Sequence, residues 1–301
     1  MLNADTVTVA VWNIEADGGR HQENRERALD ILAPYEPDIF LQQEAKHSRE
    51  RGQRLKNSTA RRLKLHGFLS EPNPDLDADI ATAVYVRRDL FEIAEERPVR
   101  NPWYLHPCHV KVFLRGCPVP LNLVSFHLCF DDADQRLREA QWLTRLAAPG
   151  MVTIAAGDTN SYPRQSEWIS LPDWPKLSDR AHMVHRTFLE YGQRHSDTRP
   201  DGTLIDAGYV DLARHAADHI PGIDAQLALA ATAGHEKPEQ GGPQRIDRPY
   251  GAGGIASAVK DIEVIDTTET RKVGDHSLLI LRFYQERLNQ VLTSESLLGT
   301  A

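Results

Sequence analysis

Apolar residues gather in short dense runs along this chain, separated by polar stretches. Val7–Trp12 (VTVAVW), Asp38–Gln42 (DIFLQ), Ile80–Val86 (IATAVYV), His109–Leu114, Leu121–Leu128, Val152–Ala156 and Leu278–Phe283 (LLILRF) predict strands, several of them buried. Gly116-Cys117-Pro118 predicts a hairpin between the fourth and fifth of these. Helical spacing predicts helices over His21–Ala33, from Ala28, Ile31 and Leu32, and over Asp134–Ala147, from Leu137, Ala140, Leu143 and Leu146. Pro34 and Pro37 close the first of them. Lys46–His66 is basic, and Leu55, Ala60, Leu63 and Leu65 predict a packed helix in its second half.

The rest is less regular. Glu71–Asp79 and Arg97–His109 read as irregular segments, and 164–245 is weakly patterned. Thr203–Leu212 mixes a turn with a short helix, and Gly234–Arg245 reads as a flexible loop. Order returns at Ile246–Tyr250, and Ala256–Asp266 predicts a strand with polar interruptions. Residues 285–301 form a C-terminal tail or a closing helix. No repeat, low-complexity tract or linker divides residues 1–301, so a single α/β domain is expected.

Composition narrows the function. A 41% hydrophobic content over 301 residues suffices for a large core. A formal net charge of -8 argues against a protein that coats nucleic acid, although a local basic patch or a metal could still hold a phosphate polymer. Cys108, Cys117 and Cys129 lack C-x-x-C spacing and are odd in number, which disfavours a disulfide framework or structural zinc and implies a reducing compartment. No signal peptide or 18-residue apolar window is evident, so the expectation is a cytoplasmic protein with no membrane association and no evident protein partner.

The chemistry gathers around Met151–Pro163 (MVTIAAGDTNSYP). Gly157 ends an apolar strand there, and alternation in the extended chain sends Asp158 and Asn160 to one side. The same residue types also suit a plain turn. Other strand ends shift the balance, because Asn13, Glu15, Glu44, His127, Asp247, Asp275 and His276 all stand at them. Glu44 would otherwise cap a helix, and an isolated strand histidine such as His127 is usually a satisfied core residue. Converging carboxylates with few cysteines suit a hard divalent cation, Mg²⁺ or Mn²⁺, through oxygen. With two histidines for proton donation, the natural chemistry is phosphoester hydrolysis.

These motifs resemble the endonuclease/exonuclease/phosphatase superfamily, which includes DNase I, abasic-site endonucleases and deadenylases. The matches run in order through Trp12-Asn13, Leu41-Gln42-Gln43-Glu44, Phe126-His127-Leu128, Gly157-Asp158-Thr159-Asn160, Arg245-Ile246-Asp247 and Gly274-Asp275-His276-Ser277. The resemblance implies a four-layer α/β sandwich of two mixed β-sheets flanked by helices. It implies Glu44 as the principal metal ligand, with Asn13, Glu15 and Asp275 completing the shell directly or through water. Asp158 would orient or deprotonate the attacking water, and Asn160 would hold that water or the phosphate. His276 would donate to a phosphate oxygen while Asp247 fixes its ring, and His127 matches a DNase-like general-acid position where abasic-site enzymes have tyrosine. Glu15 and Thr159 depart from the family's usual Asp and bulky residue. The extended Gly157–Pro163 motif is similar to that of deadenylases and several bacterial members.

Three functions follow from this reading. A metal-dependent nuclease would use the basic segment after Glu44, with Arg49, Arg61, Arg62 and Lys64 as phosphate contacts. Such a run is otherwise a solvated helix face. A phosphatase or phosphodiesterase acting on a phosphorylated small molecule would have the same chemistry behind a pocket shaped by Trp103, Tyr104, Trp168, Trp174 and the 234–245 loop. A silent binding module on the same scaffold fits poorly with so complete a set of reactive residues.

Overall fold

The computed structural model describes residues 5–19, 22–76, 79–165 and 171–294. Its strands, in chain order, are β1 (Thr6–Asn13), β2 (Ile39–Gln43), β3 (His66–Leu69), β4 (Ala83–Val86), β5 (Phe91–Arg97), β6 (Cys108–Leu114) and β7 (Leu121–His127). There follow β8 (Val152–Asp158), β9 (Thr187–Glu190), β10 (Gln193–Ser196), β11 (Val210–Asp211), β12 (Asp247–Ala252), β13 (Val259–Ile265) and β14 (Leu278–Tyr284). They build two six-stranded sheets, in the orders β13-β14-β1-β2-β4-β3 and β11-β12-β8-β7-β6-β5. Strands β9 and β10 form a separate hairpin.

Each large sheet is mixed in the same way. One parallel pair, β1–β2 or β7–β8, sits at its centre, and antiparallel neighbours flank it. In the first sheet Asn13 pairs with Gln43, and in the second His127 pairs with Asp158. The carboxyl ends of the central strands therefore share an edge with the amino ends of their antiparallel neighbours, β12 and β14. Every strand-end residue singled out above lies along that edge.

Alternation explains the layering. Val7, Val9 and Val11 of β1 face Val110, Val112, Leu123 and Ile154 of the other sheet, in a core between the sheets. Ala10 and Trp12 point the other way, against Ala28, Leu29 and Leu32 of the helix Gln22–Leu32. On the far side, Val124, Phe126, Ala155 and Tyr250 pack on Ala140 and Leu143 of the helix Ala133–Leu143. This is the expected four-layer sandwich, and burial of both sheet faces is why the central strands read as unbroken apolar runs.

Several expectations are corrected. Gly157 does not end its strand, because β8 runs on through Asp158. Glycine is needed there for close approach, since a Cβ would lie 1.8 Å from the Phe126 carbonyl oxygen. The basic helix spans Glu50–Leu63, but Arg51, Gly52 and Gln53 are left-handed, so regular helix begins only beyond them. The weakly patterned region yields the β9–β10 hairpin and the helices Arg199–Asp206 and Leu212–His219. The 234–245 loop, expected to be flexible, is tied by Ala233–Gln244 backbone bonds and a 3-10 turn at Pro238–Gln240. Its glycines, prolines and long polar side chains gave no periodic signal. The closing helix forms over Gln285–Leu292, with Leu288 and Leu292 buried. His21, Trp168 and 295–301 lie outside the described residues. The three cysteines are free and buried. Among the described residues, no helix is long and apolar enough to cross a membrane.

Candidate active site

The exit of β1 makes the first half of the site. The turn after it is left-handed at Ala16, and the Ala16 N–H donates to Glu44 Oε2 at 2.9 Å. Glu44 itself is left-handed, just beyond β2, and its Oε1 accepts from Asn13 Nδ2 at 3.2 Å. His127 Nε2 lies 3.3 Å from the same oxygen. Burial works against the Glu44 charge, but the His127 hydrogen bond and charge, the Ala16 N–H and His276 outweigh it and hold the carboxyl down at about 2. Glu44 is therefore ionised at neutral pH.

Asp158 links the halves. Its Oδ2 accepts from Asn13 Nδ2 at 3.3 Å and faces His127 Nε2 at 3.6 Å and His276 Nε2 at 3.7 Å. Its Oδ1 accepts from the Asn160 N–H at 2.7 Å. That last bond corrects the alternation argument. Asn160 is left-handed and curls back, and its Nδ2 donates to the Leu128 carbonyl at 2.9 Å, so one of its amide N–H groups is spent on backbone. Asp247 sits opposite Asp158 in the β8–β12 register, and its Oδ2 takes His276 Nδ1–H at 2.8 Å. Burial opposes charge on His276, but Asp247 first, then Asp158 and Asp275, raise it to about 10. His276 is thus an imidazolium with Nε2–H aimed between Asp158 and Asp275, each 3.7 Å away. His127 is also raised: burial lowers it, but the Glu44 hydrogen bond, Asp158 and the Glu44 charge win.

Among the described residues, two groups could present ligand atoms to a metal at short mutual range: Asp158, Asp247 and His276, which are buried, and His47, Glu50 and Asp79, mostly exposed. The first holds an imidazolium, which has no lone pair to give a cation. The expected set of Glu44, Asn13, Glu15 and Asp275 has the better chemistry, since all its donors are oxygens. Asn13 Oδ1 is buried and without a hydrogen-bond partner, as a coordinating oxygen would be. Glu15 comes close to Asp275 through Gly274, where a Cβ would lie 2.9 Å from Glu15 Cβ. Burial, then Asp275, pushes Glu15 up, and Lys237 pulls it down. Asp275 is held down by His276 and Lys237 against its burial. A cavity of about 340 Å³ opens beside these groups, lined in part by Glu15, Lys237, Asp275 and His276.

The basic segment divides. Arg49 turns inward, donating to Ser70 O at 2.8 Å and Asp79 Oδ1 at 2.6 Å, so its guanidinium anchors the loop past β3. Arg62 pairs with Asp30 on the surface. Arg61 and Lys64 are exposed. Trp103 and Trp174 are buried in apolar clusters.

A match to the family model of the endonuclease/exonuclease/phosphatase family spans residues 10–237, most of the chain. The chain belongs to the endonuclease/exonuclease/phosphatase family. The match ends before Asp247, Asp275 and His276, which the fold brings beside Asp158 from beyond it. No curated protein sequence matches the chain. Among solved structures it is similar to an AP endonuclease from Archaeoglobus fulgidus, 16% identical with a TM-score of 0.62, covering 92% of this chain and 99% of that one. It is similar to D. rerio TDP2 complexed with a single-strand DNA product, 15% identical with a TM-score of 0.61, covering 93% and 99%. A 3′ phosphatase from Neisseria bound to a product DNA hairpin is 15% identical with a TM-score of 0.60, covering 92% and 99%. At these identities the likeness is one of fold.

Within this family fold, several supporting residues escaped sequence reasoning. Trp12 Nε1–H donates to the His276 carbonyl at 3.0 Å, tying β1 to the histidine's loop. Gln43 Nε2 donates to Ser125 Oγ at 3.0 Å, and Ser125 donates to the Gln42 carbonyl at 2.8 Å, stitching one sheet to the other. The polar Gln42-Gln43 pair ending an apolar strand was the available signal. Fully buried Arg248 donates to Thr159 Oγ1 at 2.6 Å and Ser161 Oγ at 2.9 Å. The departure at Thr159 thus has a partner: a hydroxyl replaces bulk, and the arginine behind it holds the turn.

Proposed function

We propose that this protein is a divalent-metal-dependent phosphoester hydrolase that cleaves nucleic-acid phosphodiester bonds by attack of water. The observation that carries this reading is the position of Asp158, a buried carboxylate facing Asn13, His127 and the His276 imidazolium from two different sheets. A carboxylate so placed can orient a water and accept its proton, while the imidazolium beside it donates to an oxygen that gains charge. Asp247 keeps His276 charged and fixes which nitrogen faces the substrate. His127 reaches the same space and serves as donor to the departing oxygen. Glu44, Asn13, Glu15 and Asp275 would hold Mg²⁺ or Mn²⁺, which when bound supplies positive charge to the phosphoryl group. The DNA-bound states of the structurally similar TDP2 and Neisseria phosphatase support a nucleic-acid substrate.

A second reading, hydrolysis of a phosphorylated small molecule, draws on the net charge of -8 and on Arg49 being turned inward. Purified protein with Mg²⁺ should cleave plasmid DNA, single-stranded DNA or RNA, and EDTA or Asp158→Ala should abolish it. Cleavage of bis-p-nitrophenyl phosphate alone moves the assignment to the second reading. Silence on every substrate overturns both.

A further inference from the structure

Lys237 stands where the 234–245 loop meets the site, and its Nζ donates to Asp275 Oδ2. The other oxygen of that carboxylate, Oδ1, faces His276 Nε2 at 3.7 Å. Both oxygens of Asp275 are thus turned toward cations that the chain itself supplies. Lys237 also lines the cavity beside Glu15, Asp275 and His276, and its charge acts on Glu15 as well. The loop aims the lysine from a fixed base: Lys237 N–H donates to the Gly234 carbonyl at 3.2 Å, and its own carbonyl accepts from Gly242 N–H at 3.1 Å. A lysine side chain is a compact point charge on a flexible stem, so it can leave one partner for another without moving the backbone.

We propose that Lys237 is a tethered cation that competes with the divalent metal for Asp275, setting the metal concentration at which the site fills. The inference rests on the metal-dependent reading above. A divalent ion taking Asp275 Oδ2 as a ligand displaces Lys237, one taking Oδ1 still shares the carboxylate's charge with it, and a displaced Lys237 then stands in the cavity as a partner for substrate phosphate. The bond opposes metal in proportion to its own strength, and charge-assisted bonds of this type shift an equilibrium by about tenfold or more. Lys237 is a positioning residue here, since it acts through Asp275.

The test is Mn²⁺ binding to the full chain, followed by calorimetry and by the loss of the free-ion EPR signal, with no substrate present. Lys237→Met keeps the stem and removes the charge, and it should tighten Mn²⁺ binding by about tenfold. Lys237→Arg should bind as the parent does. With Asp275→Asn in the background, Lys237→Met should change nothing further. Circular dichroism and thermal melting confirm that each variant is folded. If the parent binds Mn²⁺ and Lys237→Met binds it equally or more weakly, competition is wrong and the metal-dependent reading stands. If neither protein binds Mn²⁺, both readings fail. Binding by Lys237→Met alone is the competition in its strongest form.

Discussion

Asp158 and Asp247 lie directly opposite each other across the β8–β12 pairing, and the His276 ring bridges them, 2.8 Å from Asp247 and 3.7 Å from Asp158. Two carboxylates so close would repel, and the shared imidazolium relieves that repulsion. One register therefore sets both the water-facing carboxylate and the charge of its neighbour.

This relationship predicts a pH profile. His276 is raised to about 10, chiefly by Asp247, so activity that needs the imidazolium should persist until pH nears that value. Asp247→Asn removes the largest supporting charge and should move the alkaline limb of kcat/KM to lower pH. The sign for stability is the same: a histidine raised on folding contributes below its unfolded value near 6.5 and loses that contribution as pH rises through about 10. A pH–rate series on parent and variant checks it, and coincident alkaline limbs would exclude His276 as the titrating donor.

Glu139 predicts a pH effect of opposite origin. It is buried, and its oxygens accept from Cys129 N–H at 2.6 Å, Tyr104 N–H at 2.7 Å and Gln135 Nε2 at 3.0 Å. Burial outweighs those bonds and raises the carboxyl to about 7, above the ordinary 4.5. The folded chain thus holds this proton more tightly than the unfolded one, and stability falls as pH rises between those values. Urea midpoints should decline across that window, and Glu139→Gln should flatten the decline. An equal slope in the variant would assign the titration elsewhere, with Asp17, raised by burial to about 6, the next group to test.

Gly157→Ala should be severely destabilising. The added methyl would sit 1.8 Å from the Phe126 carbonyl oxygen, inside the β7–β8 ladder, and backbone cannot yield cheaply there. A loss of about 3 kcal/mol or more is expected from urea denaturation. A variant as stable as the parent would mean that β7 and β8 are farther apart at this point.

The basic segment can be dissected by salt. If Arg61 and Lys64 touch a phosphate backbone, neutralising each should reduce the slope of log affinity against log salt by about 0.7–0.9. Arg49→Gln should leave the slope alone and lower the melting temperature, because Arg49 is committed to Ser70 and Asp79. An unchanged slope for Arg61 and Lys64 would place them on an idle helix face.

Strands and site residues were legible to different degrees. The central strands announced themselves because helices cover both sheets, leaving few polar positions in Val7–Trp12 or Val152–Ala156. The edge strand β5 and the β9–β10 hairpin were missed because water covers much of them and charged residues fill them. Asn13, Glu44, His127, Asp158, Asp247 and His276 stood out because polar residues end apolar runs, and the structure brings all six together. The curl at Asn160 was not legible, since a left-handed residue breaks the alternation used to place it. Lys237, Glu139 and Arg248 act through tertiary contacts 38, 10 and 89 residues away, and no local pattern reports those.

The Gln43–Ser125 stitch has a consequence for when the site comes together during synthesis. Asn13 ends β1 and Glu44 directly follows β2 in one sheet, while His127 and Asp158 end β7 and β8 in the other. Neither sheet carries a working half. A nascent chain that ends after β4 holds Asn13 and Glu44 without His127 and Asp158, and Asp275 and His276 are made only just before β14, the strand that completes the first sheet. The candidate site therefore assembles late, with closure of the sandwich, once nearly the whole chain has been made.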